Sequence, residues 1–188
     1  MTNLESELRR RVSAGQKMLA PFITAGYPDL TTTAGILRGI DSLGCGCVEV
    51  GIPFSDPVAD GPTIQASFTA ALNCGLTVEQ VFAQFEALTD LRTPRIAMVS
   101  FTIAFRWGVP RFLERARRAG FAGVLFPDLP LGVEPDIARL ANGLGLANVM
   151  LVAPTTPPAR REQIAAASTG FVYYLSVAGI TGERRELP

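Results

Sequence analysis

The chain has 188 residues, 48% of them apolar, and its 17 basic and 17 acidic residues cancel. That length suits one domain with a real core, yet falls short of the roughly 250 residues typical of an eight-unit β/α barrel. Histidine is absent, which excludes Ser-His-Asp and Cys-His nucleophilic sites and His-ligated metals. Acid–base chemistry therefore falls to carboxylates, Lys, Tyr or Cys.

Without a basic block there is no electrostatic footprint for nucleic acid. Arg9, Arg10 and Arg11 follow Glu5 and Glu7 and read as the solvated face of a helix. The N-terminal residues lack the apolar core of a secretory signal. No run approaches the roughly 18 apolar residues of a membrane span. Cys45, Cys47 and Cys74 are odd in number, which predicts reduced thiols in a cytoplasmic protein. Cys45 and Cys47 would need further ligands and only Cys74 remains, so small buried residues are their expected role; a carboxylate pair could hold a metal, but no D-x-D or His ligand supports one, and no metal is expected.

Thr2 followed by Glu5 has capping-box spacing and opens a helix over 2–13. A first strand is predicted over 18–25, running into the turn Gly26-Tyr27-Pro28-Asp29. Ile36, Leu37, Ile40 and Leu43 lie at helical spacing, and Gly44 ends that helix. Residues 47–51 form a second short strand, followed by a loop rich in Pro, Asp and Gly over 52–62. Helical pattern covers 63–73 and 77–88; a third strand spans 95–101 and a helix 110–119. A fourth strand at 123–126 meets Pro127-Asp128-Leu129-Pro130, and a helix over 136–144 leads to a fifth strand at 147–152. A helix over 160–167 precedes a sixth strand at 171–176, and a polar loop covers 178–188.

Six strands separated by helices imply parallel pairing with right-handed crossovers. An open doubly wound sheet and a β/α barrel both satisfy this. The doubly wound nucleotide fold usually carries a Gly-rich turn after its first strand, and here that position holds Ala25-Gly26-Tyr27-Pro28. The barrel is favoured.

In such folds chemistry sits at the carboxyl ends of the strands. Alternation puts Val48 and Val50 on one face of the second strand, and Cys47, Glu49 and Gly51 on the other. Two valines suit the helix-packed exterior, so Glu49 is expected to face the barrel interior. There its charged form is disfavoured, which suits a general acid–base group. Asp60 lies in the loop leaving the same strand, stiffened by Pro53, Pro57 and Pro62. Two carboxylates in unlike environments can divide proton transfer from charge stabilisation. Phe22, Leu125, Phe126 and Tyr173 at other strand ends offer an apolar pocket, and residues 179–185 read as a lid or anion-binding loop.

The segment VEVGIPFSDPVADGPTIQ, preceded by PFITAGYPD, resembles the α subunit of tryptophan synthase. GVLFPDLP and GFVYYLSVAGITGERRELP are further segments similar to that family, in the expected order. The resemblance implies a (β/α)8 TIM barrel of which about six units lie in a single domain over 1–188, with a lid loop at 178–188. The family continues through two more β/α units that carry most of its phosphate-binding residues. The implied reaction is cleavage of indole-3-glycerol phosphate to indole and glyceraldehyde 3-phosphate, within tryptophan biosynthesis. The implied partner is a β subunit, in an α2β2 assembly in the family; pyridoxal phosphate belongs to that subunit, and no cofactor is expected in this chain.

Carried over by position, Glu49 matches the catalytic acid–base residue and Asp60 the acid at the indole nitrogen. Phe22, Leu125 and Tyr173 match indole-pocket positions, Thr181 a lid residue that orders Asp60, and Gly182 a phosphate contact. The loop of Pro53, Phe54, Ser55, Asp56 and Pro57 resembles the one that faces the β subunit. Where the family usually shows a Tyr-Tyr-Asn-Pro-like stretch, this chain has Ser100-Phe101-Thr102-Ile103. The alternatives are another indole-releasing or phosphosugar lyase on the same barrel, and a non-catalytic partner of a β-type subunit.

Overall fold

Short buried strands alternate with amphipathic helices along the chain, in a computed structural model that describes residues 2–57 and 60–176. The order is α1 (Asn3–Ser13), β1 (Phe22–Thr24), α2 (Leu30–Ser42), β2 (Val48–Gly51), α3 (Pro62–Asn73), α4 (Val78–Ala87) and β3 (Arg95–Met98). There follow α5 (Phe101–Trp107), α6 (Val109–Arg118), β4 (Gly123–Leu125), α7 (Ile137–Gly143), β5 (Ala147–Val152), α8 (Pro158–Ala167) and β6 (Val172–Tyr174). The loop expected at 178–188 lies outside the described residues.

The six strands are all parallel, in the order β1-β2-β3-β4-β5-β6. A doubly wound sheet reverses direction at a switch point. This one never does, so every crossover carries the chain one strand further round. That is barrel winding, and it resolves the choice the sequence pattern leaves open.

Alternation along each strand separates two apolar layers. Val48, Val50, Ala97, Val99 and Val124 face the helices, where Phe82, Phe85, Phe112 and Phe121 pack among them. Each of those four rings is at most 2% exposed, and burial of such a side chain stabilises the fold by about 2–3 kcal/mol. The inner layer is Cys47, Ile96, Leu125, Ala147 and Val149, with Leu4 of α1 inserted from below. Met98, Leu151 and Tyr173 pack against that layer.

Helix α1 realises half of the expected capping box. Thr2 Oγ1 accepts from Glu5 N at 3.2 Å, while the Glu5 carboxylate turns to Arg9. Arg9 and Arg10 are solvated ion-pair partners. Arg11 does more, since its Nη1 donates to Gly44 O at 2.9 Å and ties α1 to the turn before β2.

Several expected boundaries change. The first strand shrinks to Phe22–Thr24, with Pro21, which has no N–H to donate, immediately before it. The sixth shrinks to Val172–Tyr174. The third ends at Met98, and residues read as its continuation begin α5, a helix absent from the sequence reading. Ser100 is the N-cap of α5, accepting from Thr102 N at 3.2 Å. Phe, Thr and Ile favour strand locally, and this cap outweighs them.

Candidate active site

Glu49 stands in the middle of β2, opposite Phe22 of β1 and Ile96 of β3. It is 3% exposed and faces the interior, as the alternation requires. Burial pushes its carboxyl up to about 7, and no cation among the described residues offsets that. Arg95, the one basic residue on a described strand, turns the other way. Its Nη1 donates to Leu88 O at 3.2 Å, beneath the helix layer. Among the described residues Glu49 is therefore not half of a structural ion pair. A buried carboxyl that can hold or release a proton near neutrality is a group suited to general acid–base work.

Asp60 precedes the N-cap of α3. Its backbone is fixed by Asp60 N to Pro57 O at 3.1 Å and by Gln65 Nε2 to Asp60 O at 2.8 Å. Gly61 and Pro62 set the helix start directly behind it. Burial raises its pKa as well. The Tyr173 hydroxyl, on β6, is pushed up by burial and then by the negative charges of Glu49 and Asp60. Residues 49, 60 and 173, remote in sequence, thus share one electrostatic environment. The Cys47 thiol, one position below Glu49 on the same face, is pushed up to about 12 by burial and by Glu49. It stays protonated and is not a nucleophile.

The apolar wall follows the same face. Leu125 is fully buried in the inner layer, and Tyr173 packs against it. Phe22 is half-buried, and its ring lies over Gly51. A Cβ added there would stand 2.8 Å from Phe22 Cε2 and 3.2 Å from Phe68 Cε1. Gly51 is thus the small residue that makes room for two rings. Phe126 does not belong to this wall. It packs edge-to-face on Phe101 at 5.5 Å in the helix layer. Adjacent strand residues point to opposite faces, so Leu125 and Phe126 cannot both line the interior.

Sequence reasoning missed two neighbours of the site. Met98 faces the interior opposite Leu125, and alternation from Ile96 contained that signal. Phe68 reaches Gly51 from α3, and nothing local foretells that approach.

In the loop after β2, Pro53 is buried, Phe54 stacks edge-to-face on Phe68 at 5.6 Å, and Pro57 is half-buried. The surface that this loop presents is carried by Ser55 and Asp56, both exposed and hydrogen-bonded to each other. Thr181 and Gly182 lie outside the described residues. A cleft of about 610 Å³ runs between α7 and α8 along the outer side of β5, and it touches none of Glu49, Asp60 and Tyr173.

A family model described as "Tryptophan synthase alpha chain" matches residues 8–188. The chain is 44% identical over 185 residues to the tryptophan synthase alpha chain of a Picosynechococcus species, covering 98% of this chain and 70% of that one. It is 39% identical over 192 residues to that of Rhodopirellula baltica, covering 100% of this chain and 69% of the other. Among solved structures, tryptophan synthase of Mycobacterium tuberculosis superposes with a TM-score of 0.90 at 31% identity, covering 97% of this chain and 71% of that chain. The alpha subunit of Legionella pneumophila superposes with a TM-score of 0.88 at 32% identity, covering 95% and 69%. The unreversed parallel sheet agrees with these matches. The chain belongs to the tryptophan synthase alpha chain family.

Proposed function

We propose that this chain carries the aldol-cleavage site for indole-3-glycerol phosphate, releasing indole and glyceraldehyde 3-phosphate, with Glu49 as the acid–base group. The observation that carries the reading is the buried Glu49 carboxyl, raised to about 7 with no cation beside it among the described residues. Cleavage begins with a proton delivered to C3 of the indole ring, which places positive charge at the ring nitrogen. A base removes the proton of the side-chain hydroxyl next to the ring. The C–C bond then breaks, its electrons return to the ring, and the hydroxyl carbon becomes the aldehyde. Atoms and electrons balance without an added reactant.

Glu49 supplies the first proton, because its carboxyl is protonated in a useful fraction near neutral pH. Asp60 stabilises the ring-nitrogen charge. Phe22, Leu125 and Tyr173 enclose the ring, which lowers the local dielectric and strengthens both effects. Thr181 and Gly182 complete the site at lid and phosphate. A β-type subunit is the partner for the loop over 53–57, which presents Ser55 and Asp56, and the Pyrococcus furiosus structure, that of a tryptophan synthase complex, supports a partner subunit. Pyridoxal phosphate belongs to that partner, and the chemistry here runs on carboxylates alone. A cytoplasmic setting accompanies the reading; no described helix is long and apolar enough to cross a membrane.

The test is Glu49→Gln, assayed for indole release with and without a β subunit. Loss of release with unchanged circular dichroism is expected. Retained turnover removes Glu49 from the mechanism.

A further inference from the structure

The last hydrogen bond of the β3–β4 ladder runs from Val99 N to Leu125 O, 3.1 Å. Just below it, Met98 and Leu125 form the final register pair, both turned to the interior. Beyond that bond the two chains part, one entering α5 and the other the loop of Pro127 and Asp128. They are joined again one step further out. Ser100 Oγ donates to Asp128 Oδ2 at 2.6 Å, and Phe101 N donates to Asp128 Oδ1 at 2.7 Å. One carboxylate thus closes over two donors at the start of the helix. Charge-assisted bonds of that length are the strong ones, and an anion there also complements the helix dipole.

Two further contacts make the junction rigid. Thr102 N donates to Ser100 Oγ at 3.2 Å, so the Ser100 hydroxyl serves both the cap and the bridge. Phe101 packs edge-to-face on Phe126 at 5.5 Å, locking the residue after Leu125 to the first residue of α5. Ser100 is 6% exposed although it lies at the rim of the sheet. An aromatic residue at position 100 could neither cap α5 nor donate this short bond through a rotatable hydroxyl on Cβ.

We infer that Ser100 and Asp128 are positioning residues that set the β3–β4 side of the indole pocket. The bridge fixes Met98 and Leu125 relative to each other by extending the ladder past the point where the strands separate. It rests on the reading of the inner face as the indole pocket. Neither residue touches the reacting atoms.

The experiment uses the full chain with indole as the probe, so that turnover is not required. Indole affinity is measured by titration calorimetry, and backbone exchange over 98–105 by mass spectrometry, for the parent, Ser100→Ala, Asp128→Ala and the double variant. Each single variant is expected to speed exchange at Phe101 and Thr102 by about tenfold and to weaken indole binding by about three- to tenfold. The double variant should be no weaker than the worse single one, and Ser100→Thr should restore both readouts. Faster exchange with unchanged indole affinity shows a bridge that only holds the helix, and overturns the inference. Unchanged exchange and affinity overturn it as well. A parent chain that binds no indole overturns the pocket reading itself and the inference with it.

Discussion

Phe22 lies directly across the β1–β2 ladder from Glu49, so an aromatic side chain and a carboxylate share one rung of the inner face. The rest of that rung is Ile96, on the other side of Glu49. Flanked by these two and with no cation among the described residues to offset it, the carboxylate loses hydration, which is why its proton is held to about 7. The same apolar neighbours that would hold an indole ring tune the acid beside it.

That shift has a sign for stability. Glu49 moves from 4.5 to about 7 on folding, so between those values the folded chain keeps a proton that the unfolded chain has released. Stability from this group therefore falls as pH rises through that window and is lowest above it. Glu49→Gln should be neutral near pH 4 and stabilising by up to about 3 kcal/mol near pH 8. Urea unfolding of both proteins at the two pH values measures this. An equal difference at both would show that burial does not perturb the carboxyl.

Asp60 should act mainly in the transition state, where the ring nitrogen becomes positive. Asp60→Asn is expected to lower kcat by at least about 100-fold with little change in KM. Steady-state kinetics with the β subunit present checks the split. A rise in KM with kcat preserved would instead make Asp60 a ground-state binding group.

Gly51 is a packing requirement of the pocket. An added methyl would stand 2.8 Å from Phe22 Cε2 and 3.2 Å from Phe68 Cε1, so Gly51→Ala must displace the Phe22 ring. A loss of about 1–3 kcal/mol is expected, with indole affinity falling in parallel. Thermal unfolding and calorimetry test the two effects separately.

Arg95 presents the opposite case, a buried cation in ion-pair contact with no carboxylate among the described residues, on which Asp41 and Asp90 act only from further away. Its Nε has no hydrogen-bond partner among the described residues, Nη1 reaches Leu88 O, and burial lowers its pKa. Leu88 caps α4, and an added Cβ at Gly120, just past α6, would stand 2.5 Å from Arg95 Nη2. The guanidinium thus lies at two helix C-termini, whose dipoles offset part of its desolvation. Arg95→Met, which keeps volume and removes the charge, should change stability by less than about 1 kcal/mol. Arg95→Ala should cost about 2–4 kcal/mol through the cavity it leaves. A Met variant as unstable as the Ala variant would mean that the helix-end interactions outweigh desolvation.

How much was legible in the sequence differs from element to element. The two valines of β2 imposed the period that turns Glu49 inward, and the Pro- and Gly-rich loop after it placed Asp60 above the same strand. Both are local signals, and both survive in the structure. Helix α5 was not legible, because Ser100-Phe101-Thr102-Ile103 has strand propensity and the group that closes on its N-terminus, Asp128, is 28 residues away. Phe126 shows the reverse error: alternation with Leu125 already excluded it from the pocket, and only the packing on Phe101 makes the exclusion visible.

The chain spans 70% of the length of its Picosynechococcus relative and matches it along 98% of its own. By itself the sequence determined the in-and-out alternation of its strands, and that any acid–base chemistry runs without histidine, because periodicity and residue type act within a few positions. Only the tertiary structure decided that the sheet winds in one direction and that Glu49 and Asp60 both act on the Tyr173 hydroxyl. It also decided that Arg95 points away and that Ser100 binds Asp128. Those outcomes depend on which surfaces are removed from water together, and no local stretch of chain contains that information.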